Sequence, residues 1–217
     1  MHHHKPHPLA RLATAAMLLC AGSAMAQSSP YYIGVAQSLG YESNLYRVGG
    51  GVGLPAGAQS KSDTVYSTSL VAGVDQTWGR QRLSGSGSLN VNRYSRNDQL
   101  NYNGYGLDLG LDWATIERLS GRIGWSTNRS LRSYDPAYQS VLGGQRNIED
   151  NNQLNTTVRI GVVTRLTGEA TASYRTVRYS ALAFRGSEFD QGSGSLGLRY
   201  RLGGATTAGL AWRQSSV

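Results

Sequence analysis

The side chains that most often act as nucleophiles, general bases or metal ligands are confined to the start of this chain. The four histidines and the single cysteine are His2, His3, His4, His7 and Cys20. If that segment is a removable leader, the rest of the chain has no thiolate nucleophile, no disulfide and no zinc site of the Cys/His kind. It also lacks the commonest general base. The sequence therefore predicts that the chain is not an enzyme and holds no cofactor or metal.

Two carboxylates, Asp108 and Asp112, have a spacing that invites comparison with an acid–base pair. Glycosidases use two carboxyl groups that lie at most about 9.5 Å apart. On an extended strand, a spacing of four residues corresponds to about 13 Å, because each residue advances the chain by about 3.3 Å. We therefore interpret both as solvated side chains of a strand and not as a catalytic pair.

Arginine is the main charged residue of this chain and suggests an affinity for anions. Lys5 and Arg11 belong to the first 26 residues, and they account for two of the 21 basic residues; the 13 acidic residues all come later. Two carboxylates, Asp108 and Asp112, and six arginines of a predicted polar face are expected to face the lumen, and these arginines are Arg82, Arg122, Arg159, Arg175, Arg199 and Arg201. The same face is predicted to carry Arg165, Arg213, Asp75 and Glu169. In a water-filled lumen the arginines would favour anions or acidic sugars. The sequence leaves open a second interpretation, in which arginine–carboxylate pairs brace the wall.

A signal peptide is predicted over residues 1–26. Residues 1–11 are basic, residues 12–21 are apolar, and Ala24 and Ala26 place small side chains where a signal peptidase reads them. The apolar stretch is shorter than the roughly 20 residues of a membrane-spanning helix. We therefore expect export, with residues 27–217 as the mature portion. A nucleic-acid partner is not expected, because the basic residues of this exported chain are scattered and do not form one patch.

Alternation of apolar and polar residues recurs nine times after the leader and predicts nine β-strands. In the third of them, Leu89 and Val91 alternate with Ser88 and Asn90. The predicted strands cover residues 31–41, 64–78, 82–94, 102–113, 119–131, 154–166, 169–179, 191–202 and 205–214. These lengths suit tilted strands that cross an outer membrane, which need about 9–11 residues.

The predicted connections alternate between long and tight. Long ones cover residues 42–63, 95–101, 132–153 and 180–190, and tight ones cover residues 79–81, 114–118, 167–168 and 203–204. This rhythm is typical of an up-and-down barrel with external loops and periplasmic turns. Trp78 and Trp113 lie next to tight turns, where a girdle of interfacial aromatic residues is expected. Glycines at 49–51 and 143–144 predict that two of the long loops are flexible.

We therefore predict an all-β, transmembrane, antiparallel up-and-down β-barrel that contacts outer-membrane lipid and the outer-membrane insertion machinery. Arg93, Arg129 and Arg178 are expected on the lipid face near the external strand ends, within reach of headgroup phosphates. Because bacterial single-chain barrels have an even number of strands, a count of about nine suggests the N-terminal part of a longer barrel. Residues 214–217 also lack the aromatic residue that usually ends such barrels.

The segment 40–47 has the sequence Gly-Tyr-Glu-Ser-Asn-Leu-Tyr-Arg and directly follows the core of the first predicted strand. It resembles the first-strand signature of outer-membrane β-barrel porins associated with exopolysaccharide biosynthesis operons (the EpsL-like group). The resemblance implies a porin-like protein, or one involved in polysaccharide production or export across the outer membrane. It supplies no catalytic residue. The competing hypothesis is a structural or adhesive barrel whose lumen is plugged.

Overall fold

The computed structural model describes residues 29–116, 118–134, 143–161, 165–203 and 206–217. The predicted signal peptide lies outside these residues. The strands are β1 (Tyr31–Glu42), β2 (Asp63–Trp78), β3 (Gln81–Tyr94), β4 (Tyr102–Ala114), β5 (Leu119–Leu131), β6 (Ile148–Ile160), β7 (Leu166–Tyr179), β8 (Phe189–Arg201) and β9 (Thr207–Ser216). Two short 3₁₀ helices, Asp98–Leu100 and Leu182–Ser187, lie in the connections after β3 and β7.

The nine strands form one antiparallel sheet in which each strand pairs with its neighbour in sequence. The prediction of an all-β, up-and-down antiparallel arrangement is confirmed. β1 and β9 are the two edges of this open sheet. Because successive strands reverse direction, all the tight turns lie at one end of the sheet and all the long loops lie at the other. None of the helices in the described ranges has the length and apolar content needed to cross a membrane.

Strand boundaries agree with the sequence prediction within a few residues, except at β6. β5 spans Leu119–Leu131 as predicted. The prediction of residues 154–166 for the sixth strand is wrong, because β6 begins at Ile148 and ends at Ile160. The polar residues at 149–153 look like loop, but they pair with β5 on one side and with β7 on the other. β7 begins at Leu166, so the prediction of a tight connection at residues 167–168 is wrong, because these two residues lie within the strand.

The register gives the sheet two chemically distinct faces. Directly opposed residues share a face, and apolar residues oppose one another from β1 to β9. Examples from successive strand pairs are Val35–Leu70, Leu70–Leu89, Leu89–Tyr105, Leu109–Trp125, Trp125–Leu154, Leu154–Tyr174 and Leu196–Trp212. Serine, threonine, asparagine, glycine and the charged residues fill most of the other face. We call these surfaces the apolar face and the polar face.

The buried hydrophobic side chains of the described residues all lie at the long-loop end. They are Tyr46, Val48, Leu100, Tyr134, Ile148, Val177 and Phe184. In the described part of the chain, no second layer lies over the apolar face in the middle of the sheet, and large side chains there are exposed. The buried side chains therefore hold the long loops in place, and they are separate from the exposed apolar face of the strands.

Candidate functional site

Four of the six arginines predicted to face the lumen form ion pairs in a row close to the tight turns. The pairs are Arg82–Asp75, Arg122–Asp112, Arg159–Glu169 and Arg199–Glu169. Arg122 and Asp112 are directly opposed on neighbouring strands, and Arg122 Nη1 lies 2.7 Å from Asp112 Oδ2. Arg159 and Glu169 are also opposed, with Nε donating to Oε2 at 2.6 Å. We call this row the ionic belt.

The ionic belt is nearly neutral as a whole. It contains four arginines and three carboxylates, and signs alternate across β2, β3, β4 and β5 because Arg82 is opposed to Asp112. Its side chains are partly exposed, so water screens the pairs and each contributes little to stability. For these four arginines, the geometry corresponds to the interpretation of a braced wall, and little positive charge is left over for anions.

The other three residues predicted to face the lumen are not brought into the belt. Arg175 Nε donates to Asn151 Oδ1 at 3.1 Å, and its guanidinium carbon lies 5.6 Å from the centre of the Phe189 ring. The side chains of Arg201 and Asp108 are exposed and have no polar partner among the described residues. Asp108 and Asp112 both lie on β4, but they differ in setting because Asp112 alone has an arginine beside it.

The middle of the polar face carries hydroxyl and amide groups. A cavity of about 470 Å³ is lined here by Ser86, Ser88, Ser126, Asn128 and Gln153, with Asp108 as its one carboxylate residue and Tyr32 at one side. Tyr32 belongs to β1 and Gln153 to β6, so residues from distant strands surround one space. This requires the sheet to curve toward its polar face. The concave side of the sheet is therefore the polar one.

The long loops pack into an ordered cluster that we call the outer cap. Its core is formed by Tyr46, Val48, Leu100 and Tyr134, with Tyr94 of the polar face packed against it. The rings of Tyr46 and Tyr134 meet edge to face with centres 4.7 Å apart. Burial raises the pKa of Tyr46 to about 12. Its hydroxyl therefore stays protonated and donates to Asn97 Oδ1 at 2.9 Å.

Asp63, the first residue of β2, holds the connection between β3 and β4 in place. Its side chain is 1% exposed and accepts hydrogen bonds from the backbone N–H groups of Ser95, Arg96 and Asn97 at 3.0, 3.1 and 2.8 Å. It also accepts one from Asn97 Nδ2 at 2.7 Å. Asn97 Oδ1 in turn accepts from the backbone N–H of Gln59 at 2.8 Å. One carboxylate and one amide thus join two long loops.

The outer cap should lose stability in acid. Burial alone would raise the pKa of Asp63, but hydrogen bonds from Asn97, Arg96 and Thr64 lower it below its ordinary value. The stabilisation is therefore present above an unfolded-state pKa of about 3.9 and is lost as the pH falls through the folded-state pKa. We expect near-ultraviolet circular dichroism from the buried tyrosines to decrease as the pH falls from about 5 to about 2. Asp63→Asn should remove this dependence, whereas the exposed Asp98→Asn should retain it.

The segment that resembles the porin signature builds the tight entry to the first long loop. Asn44 Nδ2 donates to the carbonyl of Val48 at 2.9 Å, and the N–H of Val48 donates back to Asn44 Oδ1 at 3.0 Å. Arg47 lies between them with φ of 51°, the left-handed region that non-glycine residues seldom adopt. Tyr46 points into the core. In this chain, the segment shapes the outer cap.

Two loops predicted to be flexible contact each other. The N–H of Gly144 donates to the carbonyl of Ala56 at 2.7 Å, and Gly143 adopts a φ of 57° beside the same residue. Tyr134 Oη donates to the carbonyl of Gln145 at 2.6 Å. Residues 135–142 of the second loop lie outside the described residues. The glycines at 143 and 144 thus permit a close approach of two backbones.

The apolar face is open over its whole width. Leu210 is 85% exposed, Ile33 76%, and Leu196 61%, so none of the described residues forms a layer over either edge or over the region between them. Trp78, next to the first tight turn, is 57% exposed on this face. Trp113 lies on the same face and covers Gly121 of β5. Both tryptophans are therefore at the tight-turn end, as predicted.

A side chain at Gly121 should displace Trp113. A Cβ there would lie 2.5 Å from Cζ2 of Trp113 and closer still to the carbonyl of Thr157. We expect Gly121→Ala to lower the free energy of unfolding by about 1–3 kcal/mol, the usual cost of overpacking. The measurement is chemical unfolding followed by tryptophan fluorescence. Gly124→Ala is the matched control on the same strand, because its nearest atom would lie 3.8 Å away, and it should change stability much less.

Two of the three arginines expected near headgroup phosphates have carboxylate partners. Arg129 Nη1 lies 3.3 Å from Asp150, and Arg178 Nη2 lies 2.7 Å from Asp190. Arg93 donates to the carbonyl of Asn92 at 3.0 Å. Asp150 lies near the start of β6 and Asp190 near the start of β8. The sequence is polar around these positions, so alternation does not show where the two strands begin.

Comparison of the chain with protein-family models, curated proteins and solved structures gives no match. The likeness to the exopolysaccharide-associated porins therefore stays a prediction. Within the described ranges, no three His, Cys, Asp or Glu side chains lie close enough together to hold a metal ion. The features on which a function can be argued are the ionic belt, the middle of the polar face, the outer cap and the apolar face.

Proposed function

We propose that this chain forms part of the wall of an outer-membrane β-barrel with a porin-like function. The single observation that supports it most is the apolar face, which runs across nine strands without a covering layer. Soluble monomers rarely expose contiguous apolar patches above a few hundred Å². Lipid is the solvent in which such a surface is favourable, and strands in closed barrels are one of the two structures that span it.

The polar face supports the lumen side of this proposal. It is the concave side, and its side chains are hydroxyls, amides and charges, most of them paired, that remain satisfied in contact with water. In a barrel, the ionic belt would form a ring at the periplasmic turns and the outer cap would lie at the external mouth. Both edge strands would require partners in the assembled barrel, because unpaired backbone groups are costly in lipid.

The charges of the polar face determine which solutes such a lumen would accept. Arg82, Arg122, Arg159 and Arg199 have carboxylate partners, so a strong preference for anions is not expected from them. Arg175 and Arg201 lack carboxylate partners among the described residues, which supports a weak preference at most. A role in polysaccharide production or export rests on the resemblance of segment 40–47 alone.

A plugged structural or adhesive barrel is the second candidate, and the outer cap is the observation that favours it. The cap packs against Tyr94 and is anchored by Asp63, both on the polar face. Loops that fold toward the concave side narrow the external mouth. An outer cap that covers the whole mouth corresponds to the plugged barrel, and one that covers only part of it corresponds to the pore.

Conductance in planar bilayers tests the proposal. The full-length protein should produce discrete current steps with weak anion selectivity, because water and ions fill a lumen with a polar wall. Tyr46→Ala should increase the current by loosening the outer cap, whereas Tyr41→Ala, an exposed tyrosine of β1, should not. Current only in Tyr46→Ala would favour the plugged barrel. Silence of all three proteins would contradict the pore.

A further inference from the structure

A groove at the tight-turn end combines an apolar interior with cationic side chains. It has a volume of about 1300 Å³ and is lined on the apolar face by Leu119, Ile160, Leu166 and Leu198. Gly161 precedes β7 and Gly168 lies near its start. Because neither has a side chain, they leave a depression between the larger side chains. The groove is large enough for apolar chains, since typical small-molecule pockets measure about 300–1,000 Å³.

Two arginines from neighbouring turns line the same groove. Arg80 Nη1 donates to the carbonyl of Thr115 at 2.7 Å, which fixes the guanidinium and leaves its other N–H donors available. Arg118 is exposed, and its carbonyl accepts the N–H of Gly161 at 2.9 Å. Neither arginine forms an ion pair with a described carboxylate. Glu117 lies outside the described residues.

Two tryptophans indicate the level at which the groove would lie in a membrane. Trp78 and Trp113 lie on the apolar face beside the same turns, and tryptophan in membrane proteins is enriched at the level of the headgroups. The two arginines would therefore lie at the phosphate level, and the leucines and the isoleucine at the level of the acyl chains. The groove thus places positive charge and hydrocarbon-like surface in the order in which a phospholipid presents its phosphate and its chains.

We propose that this groove is a binding site for a glycerophospholipid with an anionic headgroup in the periplasmic leaflet. The proposal rests on the proposed membrane-spanning barrel and adds a lipid preference to it. Arg80 and Arg118 bind the phosphate by charge-assisted hydrogen bonds, and the apolar side chains contact the acyl chains. The site holds anionic lipids in preference to zwitterionic ones.

A local quenching experiment tests the site. Residues 27–217 contain no cysteine, so Gln81→Cys, at the groove, can carry a unique fluorescent label in this stretch. The labelled full-length protein is folded into phosphatidylcholine vesicles that contain either brominated phosphatidylglycerol or brominated phosphatidylcholine at equal mole fraction. We expect stronger quenching by brominated phosphatidylglycerol than by brominated phosphatidylcholine. Each arginine removed should lower the preference for phosphatidylglycerol about fivefold.

The matched control is an arginine at the opposite end of the sheet. Arg146 Nη1 donates to the carbonyl of Asn101 at 2.6 Å, a bond of the same kind as that of Arg80. Arg80→Gln with Arg118→Gln should abolish the preference and keep quenching by both lipids, whereas Arg146→Gln should change nothing. Equal quenching by both lipids in the labelled protein that retains Arg80 and Arg118 would contradict the lipid site but not the membrane-spanning barrel. No quenching by either lipid would overturn the membrane-spanning barrel.

Discussion

Asp63→Ala is expected to open the outer cap. The carboxylate is buried and accepts hydrogen bonds from the backbone N–H groups of Ser95, Arg96 and Asn97. Alanine would leave the N–H groups of Arg96 and Asn97 without this acceptor, whereas the N–H of Ser95 would keep the carbonyl of Thr64 at 3.1 Å. Unsatisfied buried donors cost about 1–3 kcal/mol each, and partial hydration reduces the sum. We expect the free energy of opening the cap to fall by about 3 kcal/mol. Hydrogen exchange at those three amides measures it.

Two further substitutions separate the role of this carboxylate from a general loss of charge. Asp63→Asn retains one acceptor oxygen and should lose about half as much as Asp63→Ala. Asp98→Ala removes an exposed carboxylate in the same loop and should leave exchange at Ser95, Arg96 and Asn97 unchanged. If Asp98→Ala accelerated exchange as much as Asp63→Ala, the assigned anchoring role of Asp63 would be wrong.

Leu154→Arg should weaken folding into a bilayer more than other single substitutions on the strands. Leu154 is at the middle of β6, opposite Trp125 and Tyr174 on the apolar face, and is 46% exposed. An arginine at the bilayer midplane of a barrel costs about 2–4 kcal/mol. Equilibrium folding of the full-length protein into vesicles, followed by denaturant titration, measures the change in free energy.

The neighbouring residue provides the control at the same depth. Asn155 lies on the polar face opposite Gly124, and an arginine there would point into water. Asn155→Arg should therefore change the folding free energy by about 0.5 kcal/mol or less, as exposed substitutions usually do. Equal losses for the two substitutions would contradict a membrane with lipid on one face of the sheet and water on the other.

Strand order and the two faces could be predicted from the sequence because both depend on local alternation. Period-two patterns fix which residues share a face, and tight turns join neighbours without ambiguity. β6 is the exception, since residues 149–153 are polar at every position and alternation carries no signal there. Their pairing depends on β5 and β7, which approach from both sides. In this segment, pairing with the two neighbouring strands, and not the local sequence, determines that the chain forms a strand.

The candidate site was only partly predictable. Alternation identifies which arginines lie on the polar face, but the choice between free and paired guanidinium groups depends on register, which opposes Arg122 to Asp112 and Arg159 to Glu169. The outer cap depends on contacts between loops far apart in sequence, such as Asp63 with Asn97. Neither residue belongs to a motif. A buried aspartate at the first position of a strand is recognisable only after the loops are placed.

The most direct test of the proposed barrel is spin-label accessibility at two adjacent positions. Residues 27–217 contain no cysteine, so Leu154→Cys and Asn155→Cys each place the one nitroxide of this stretch in the full-length protein, which is folded into vesicles. The label at 154 should be relaxed mainly by oxygen, which concentrates in lipid, and the label at 155 mainly by a water-soluble nickel chelate. If the nickel chelate relaxed both labels equally, the apolar face would not contact lipid and the barrel would be contradicted.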